Sequence, residues 1–244
     1  MPRFFVEPDA IADGIATVVG GDAYHIARSL RMAVGDEITL ADGSGKEYLC
    51  RLTKIRDEEC TAEIITEKAS TSESPAEITL YMAYPKSDKL ELIIQKSVEL
   101  GAARIVPFES SRCIKRPKAE KIEKQTARLQ RIAEEAAKQC GRARLPIVTE
   151  PIGFKKMLEE AKTAELSLFC YEGQGTKSLK SILGTDSVPK TISVIVGSEG
   201  GFSPEEAEAA ETAGLTPVNL GPRILRCETA PMYALSAISY QIEL

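Results

Sequence analysis

A single histidine among 244 residues excludes any site that needs two imidazoles, and with it the HExxH zinc hydrolases and histidine-rich metal centres. The six cysteines (Cys50, Cys60, Cys113, Cys140, Cys170, Cys227) are scattered, with no C-x-x-C pair and no nearby histidine. Buried, reduced thiols and no metal are therefore expected. Apolar runs such as Leu166 to Cys170 and Ile192 to Val196 break off far short of the roughly 18 residues that would cross a bilayer, so no membrane segment is expected. The start, Met1 to Val6, carries one basic residue and turns acidic at Glu7 and Asp9 without an export signal, which implies a cytoplasmic location.

What is present is the composition of a folded chain, 43% hydrophobic and 27% charged, long enough for one large and one small core. The net charge of −5 is unevenly spread: residues 1–72 hold 8 basic and 13 acidic side chains, whereas 73–244 hold 23 of each. Within the second part, Arg112 to Arg144 carries eleven Lys and Arg (Arg112, Lys115, Arg116, Lys118, Lys121, Lys124, Arg128, Arg131, Lys138, Arg142, Arg144) against four glutamates. Such a run is either the solvated face of a helix or a surface for a polyanion.

The first 70 residues alternate in short strands, near Arg3–Val6, Gly14–Val19, Asp36–Ala41, Glu47–Arg56 and Thr61–Thr66, with one short helix over Asp22–Arg31 and Asp42-Gly43 as turn residues. This predicts a small β-barrel over residues 1–72. The polar segment from Ala69 to Pro75 reads as an interdomain linker. Beyond it, over residues 73–244, apolar strands alternate with amphipathic helices, the pattern of an α/β domain with a largely parallel sheet. Strands are expected near Ile78–Ala83, Arg104–Phe108, Leu166–Tyr171, Thr191–Val196 and Pro217–Leu220. Helices are expected near Asp88–Leu100, Lys118–Cys140, Phe154–Ala161, Leu179–Leu183, Pro204–Ala213 and Thr229–Ile242. In the long helix, Ile122, Leu129, Ile132, Ala133, Ala136, Ala137 and Cys140 recur at helical spacing, which turns its lysines and arginines outward.

Two late turns carry the chemistry. After the strand ending at Val196 come Gly197-Ser198-Glu199-Gly200-Gly201-Phe202, then Ser203-Pro204-Glu205-Glu206 opening a helix as a capping box. Three glycines in five residues let backbone amides approach a ligand, and their spacing is neither G-x-G-x-x-G nor a Walker loop. The second turn, Leu220-Gly221-Pro222-Arg223-Ile224-Leu225-Arg226-Cys227-Glu228-Thr229-Ala230, again follows a strand. If the two strands are neighbours, both turns open on one crevice at the carboxyl edge of the sheet.

The pair G-S-E-G-G-F-S-x-x-E and L-G-x-R-I-L-R-x-E-T-A resembles the signature of the RsmE family of the SPOUT superfamily. Lys86 with Lys89, Lys96-x-x-Glu99-Leu100-Gly101, Pro107, Arg112, and Gln139-Cys140-Gly141-Arg142 followed by Pro146 match as well. Ser198 and Cys227 depart from it, standing where many members have proline and threonine. The resemblance covers essentially the whole chain. It implies a PUA-like barrel of RNA-binding type, then a SPOUT α/β domain with a deep trefoil knot, assembled as a homodimer. The implied activity is S-adenosylmethionine-dependent methylation of N3 of a uridine in 16S ribosomal RNA of the 30S subunit.

Carried over residue by residue, the resemblance implies cofactor contacts from Leu168, Tyr171, Glu172, Val196, Gly197, Glu199, Gly200, Gly201, Leu220, Gly221, Ile224, Leu225, Arg226, Thr229 and Ala230. Uridine N3 reacts only as its proton departs, so Arg142 and Arg226, with Arg223, are the candidate catalytic charges. Glu199 or Glu228 could act as a general base, but a structural role in the cofactor loops is the favoured expectation for both. RNA contacts are expected from Arg3, Arg28, Arg31, Lys86, Lys89, Arg112, Arg116 and Arg142. The competing readings are a SPOUT enzyme acting on a ribose 2′-hydroxyl, a non-catalytic RNA-binding assembly factor, and a nucleotide- or NAD-binding enzyme.

Overall fold

The computed structural model describes residues 1–86, 89–117, 119–184 and 188–244. The expected helix starts at Asp88 and Lys118 lie outside the described residues. The chain divides into two compact units, Met1–Glu73 with Ala137–Leu145, and Ser74–Ala136 with Pro146–Leu244.

The first unit is built on a curled, six-stranded sheet. Its strands are β1 (Arg3–Phe5), β2 (Ile11–Ala12), β3 (Ile15–Val19), β4 (Glu37–Ala41), β5 (Lys46–Ile55) and β6 (Glu59–Ala69), in the order β1-β4-β5-β6-β3-β2. Apart from the parallel β1–β4 pair, all are antiparallel. Alternation puts Ile38, Leu40, Cys50, Leu52, Cys60 and Ala62 inside, with Phe4, Val18 and Ile26. The expected short helix is α1 (Gly20–Tyr24) continued by a π-helical stretch His25–Ser29. His25 packs edge-on against Phe4 at 6.2 Å, a structural place for the one histidine. Tyr24 is exposed. In the β4–β5 turn, the Asp42 carboxylate accepts from the Ser44 and Lys46 amides and the Ser44 hydroxyl. This satisfies the turn as its sequence foretold.

The segment expected as a linker is bound along much of its length. Ser72 donates to the Gly141 carbonyl at 2.7 Å, and Glu73 accepts from the Ala143 and Arg144 amides at 2.9 Å and from the Arg142 guanidinium at 2.8 Å. Short polar residues were a sound turn signal, but here Ser72 and Glu73 take up the Gly141 carbonyl and the backbone donors of Ala143 and Arg144. That is why a piece from the middle of the chain belongs to the first unit.

The second unit is a parallel sheet with helices packed on it. Its elements are β7 (Glu77–Ala83), α2 (Lys89–Glu99), β8 (Ala102–Glu109), α3 (Ile122–Cys140, whose last residues belong to the first unit), β9 (Ile147–Val148), β10 (Ile152–Gly153) and α4 (Phe154–Ala161). They continue with β11 (Leu166–Cys170), β12 (Lys177–Ser178), α5 (Leu179–Leu183), β13 (Thr191–Val196), α6 (Pro204–Thr212), β14 (Thr216–Asn219) and α7 (Thr229–Glu243). The strand order is β10-β8-β7-β13-β11-β14-β12, with β9 also on β8, and every pair is parallel. The central strands are nearly continuous apolar runs because helices cover the sheet, which is how buried parallel strands read. Helices α2 and α7 pack on each other and on β8 and β13 respectively. In α3, Leu129, Ala133, Ala136 and Ala137 are buried, whereas Lys124, Arg128 and Arg131, with Lys121 just before the helix, are exposed. The two-residue strands β9, β10 and β12 carry no readable periodicity and were not expected.

Candidate functional site

Strands β13, β11 and β14 lie side by side, and their carboxyl ends release three turns that enclose a cavity of about 490 Å³. The two glycine turns do not follow neighbouring strands, as the sequence suggested: β11 lies between β13 and β14. Because β13 sits on one side of β11 and β14 on the other, strand order reverses here, where open α/β sheets hold ligands.

The turn after β13 is fixed from every side. Gly201 donates to the Ser198 carbonyl at 2.9 Å, closing a tight loop, and its φ of +62° suits glycine. A Cβ on Gly201 would come within 2.8 Å of the Glu172 carboxylate, and one on Gly200 within 2.9 Å of the Arg112 side chain. Phe202 then drops into the core, 2% exposed, with its ring 4.3 Å from Phe169 and stacked near Phe108 at 6.3 Å. The capping box forms as expected between Ser203 and Glu206. The Glu206 carboxylate also accepts from the Ser111 amide at 2.7 Å, and Arg112 donates to the Gly200 carbonyl at 3.2 Å. The segment after β8 is thereby docked onto the glycine turn.

The turn after β14 is held mainly at its ends. Asn219 accepts from the Gly221 amide at 3.3 Å, and its own amide donates to Thr176 and the Lys177 carbonyl. At the far end, the Thr229 and Ala230 amides bond the Arg226 carbonyl at 2.9 Å to start α7. Between them Gly221, Pro222, Arg223 and Ile224 are exposed, Ile224 at 85%.

One lysine ties the two turns together. Lys89, first residue of α2, reaches Glu228 at 2.9 Å and Glu199 at 3.3 Å. Glu199 also accepts from the Lys86 amide at 3.1 Å. The hydrogen bond from Lys89 holds the Glu228 carboxyl at about 2, and the same two carboxylates hold the ammonium above its ordinary range. Burial works against Glu199, yet backbone amides and Lys89 keep it below the usual carboxylate range. Burial and the adjacent Glu228 push the Cys227 thiol up to about 12, and burial does the same to Cys170. Both thiols are therefore neutral and poor nucleophiles at neutral pH.

Of the residues expected to meet a cofactor, Tyr171, Glu172, Val196, Gly197, Glu199, Gly201, Leu220, Gly221, Ile224, Leu225, Arg226 and Ala230 line the cavity. Leu168 is buried within β11, Gly200 faces Arg112, and Thr229 begins α7; none of these three is in the lining. Phe202, Asn219 and Cys227 line it without having been expected among the cofactor contacts. The signal for Phe202 was an aromatic directly after a glycine turn. Arg226 and Arg223 reach the cavity. Arg142 belongs to the first unit, where its side chain is 5% exposed and donates to Glu73. Among the residues expected to meet RNA, Arg3 pairs with Glu47 at 3.2 Å and Arg28 with Asp57 at 2.6 Å. Arg116 lies 3.7 Å from Glu109, while Arg31 and Lys86 are exposed. Among the described residues no group of three or more His, Cys, Asp or Glu could hold a metal ion, and no helix is long and apolar enough to cross a membrane.

The walls of the cavity suit a nucleoside-bearing ligand: apolar side chains (Val196, Phe202, Leu220, Leu225, Ala230) sit beside backbone of two glycine turns and two carboxylates, at a volume typical of cofactor pockets. The RNA methyltransferase domain family matches residues 72–239, and the RNA methyltransferase PUA domain family matches 20–65. Ribosomal RNA small subunit methyltransferase E of Bacillus subtilis is 36% identical, over 100% of this chain and 98% of its own length. This chain belongs to the ribosomal RNA small subunit methyltransferase E family. The Synechocystis member is 33% identical over 99% of this chain and 78% of its own. The crystal structure of the Neisseria gonorrhoeae member, bound to S-adenosyl methionine, superposes with a TM-score of 0.88 at 34% identity, covering 98% of this chain and 97% of that one.

Proposed function

We propose that this protein transfers the methyl group of S-adenosylmethionine to N3 of a uridine in the 16S RNA of the 30S subunit, working as a knotted homodimer in the cytoplasm. The observation that carries this reading is the cavity at the carboxyl ends of β11, β13 and β14, lined by both turns of the family signature. The cofactor supplies an activated methyl on sulfonium, so what remains for the protein is alignment and charge. Backbone of Gly197 and Gly201 and of Leu220 and Gly221 holds the nucleoside, with Val196, Phe202, Leu225 and Ala230 as its apolar walls.

Arg226, with Arg223 beside it, supplies positive charge where the uracil oxygens turn negative as the N3 proton leaves. Glu228 and Glu199 are poor bases for that proton, because Lys89 and backbone amides favour their ionised forms. Since N3 lies on the pairing edge, the base must be unpaired or flipped to enter. The exposed stripe Lys124, Arg128 and Arg131 on α3, with Lys121 just before it, at spacings of three and four, together with Arg112 and Arg116, grips the phosphates. Arg31 and Lys86 add exposed charge in the two units.

The test is methyl transfer to 30S subunits from a strain lacking the modification, followed by mass spectrometry of the labelled nucleoside. One base-methylated uridine per particle is expected. A ribose-methylated nucleoside, or no transfer with no cofactor binding in a calorimeter, would overturn the proposal.

A further inference from the structure

We infer that Lys89 is a positioning residue that sets the cofactor cavity by tying its two turns together, and that it is not a phosphate contact. This deepens the proposed reading and rests on it. The resemblance placed Lys89 among the RNA-binding cations, and a lysine at the start of a surface helix is ordinarily available for that.

The geometry points elsewhere. Its Nζ lies 2.9 Å from the Glu228 carboxylate and 3.3 Å from that of Glu199. Glu199 belongs to the turn after β13, and Glu228 closes the turn after β14. With β11 between those two strands, the turns share no backbone ladder at this end. An ammonium bonded to both is a bridge that the sheet itself does not provide. Its surroundings are arranged for that purpose: the Lys86 amide donates to Glu199 from the other side, and the Cys227 thiol, 3.2 Å from Glu228, remains protonated and donates to it. The charge of Lys89 is thus met by two anions, leaving one excess negative charge and little attraction for a phosphate. Removing the ammonium would leave two carboxylates facing one another without their common counter-ion, and the turns would separate.

Three measurements on Lys89→Met, Lys89→Arg and Glu228→Gln test this. In ligand-free protein, amide hydrogen exchange in residues 197–203 and 220–228 is expected to quicken at least tenfold in Lys89→Met, while the core strands β7 and β13 keep their protection. Calorimetry without RNA is expected to show S-adenosylmethionine bound at least tenfold more weakly by Lys89→Met and by Glu228→Gln. Lys89→Arg should recover to within about threefold, because a guanidinium can bridge the same pair.

Unchanged exchange in both turns would overturn the bridge. Unchanged cofactor affinity alongside weaker RNA binding with a shallower salt dependence would restore Lys89 to the phosphate contacts and overturn the inference as well. Failure of the unaltered protein to bind S-adenosylmethionine would sink the proposed function alone, since the exchange measurement needs no ligand. Should Lys89→Met not fold, Glu228→Gln carries the same comparison, with the lysine intact and one of its anions gone.

Discussion

The two turns that make the cavity are built in opposite ways. The turn after β13 has its aromatic in the core, its helix cap closed, and the Ser111–Arg112 segment docked on it through Glu206 and Gly200. The turn after β14 exposes four consecutive residues and is secured at Asn219, Glu228 and the first amides of α7. One is a floor and the other a rim. A ligand that must enter and leave needs a side with low local stability, and a reaction needs one that does not move.

The sharpest way to break this contrast is through the floor. Phe202→Ala removes a side chain that packs with Phe108, Phe154 and Phe169, and is expected to cost about 3–5 kcal/mol in a urea titration, a large part of the stability of a domain. Next comes Gly200→Val, whose Cβ would meet the Arg112 side chain at 2.9 Å and its carbonyl at 3.1 Å. That variant should fold but show no cofactor binding by calorimetry. Full activity in it would contradict the pocket.

Glu228 gives a smaller effect with a defined sign. Its folded pKa is about 2 against an ordinary 4.5, so its contribution to stability is complete above pH 4.5 and lost as pH falls toward 2. Glu228→Gln should flatten that part of the acid limb in thermal melts and leave the neutral range less affected in shape. Smallest is the rim itself. Ile224→Ala and Arg223→Ala should shift stability by no more than about 0.5 kcal/mol, as exposed sites do, while weakening cofactor binding. If either unfolds the protein, the rim is not the loose partner of the two.

The contrast also explains what could be read from the chain and what could not. Period-2 alternation in Glu37 to Leu40 and the apolar runs at Thr191 to Val196 are one-dimensional signals, and the strands lie where those runs are. Ser203, Pro204 and Glu206 announce a helix start because capping depends on residues three apart. Most of the cavity lining was legible for the same reason, being two contiguous glycine turns.

What escaped was set by distant partners. The insertion of β11 between β13 and β14 depends on sheet order, which no local pattern encodes. The bond from Arg142 to Glu73, 69 residues away, is also one that no local pattern announces. Lys89 likewise looked like any surface cation until Glu228, 139 residues on, came within 2.9 Å. Charges in a sequence advertise their sign and conceal their counter-ions.

The discontinuous make-up of the first unit bears on how the chain matures. Residues 1–73 emerge before their partners, yet the donors that satisfy Glu73 come from residues 142–144, so the unit stays unfinished until Leu145 has been translated. Severing the chain after residue 73 would strand a carboxylate without its guanidinium, and the amino-terminal fragment should be a poorer folder than its tidy strand pattern suggests.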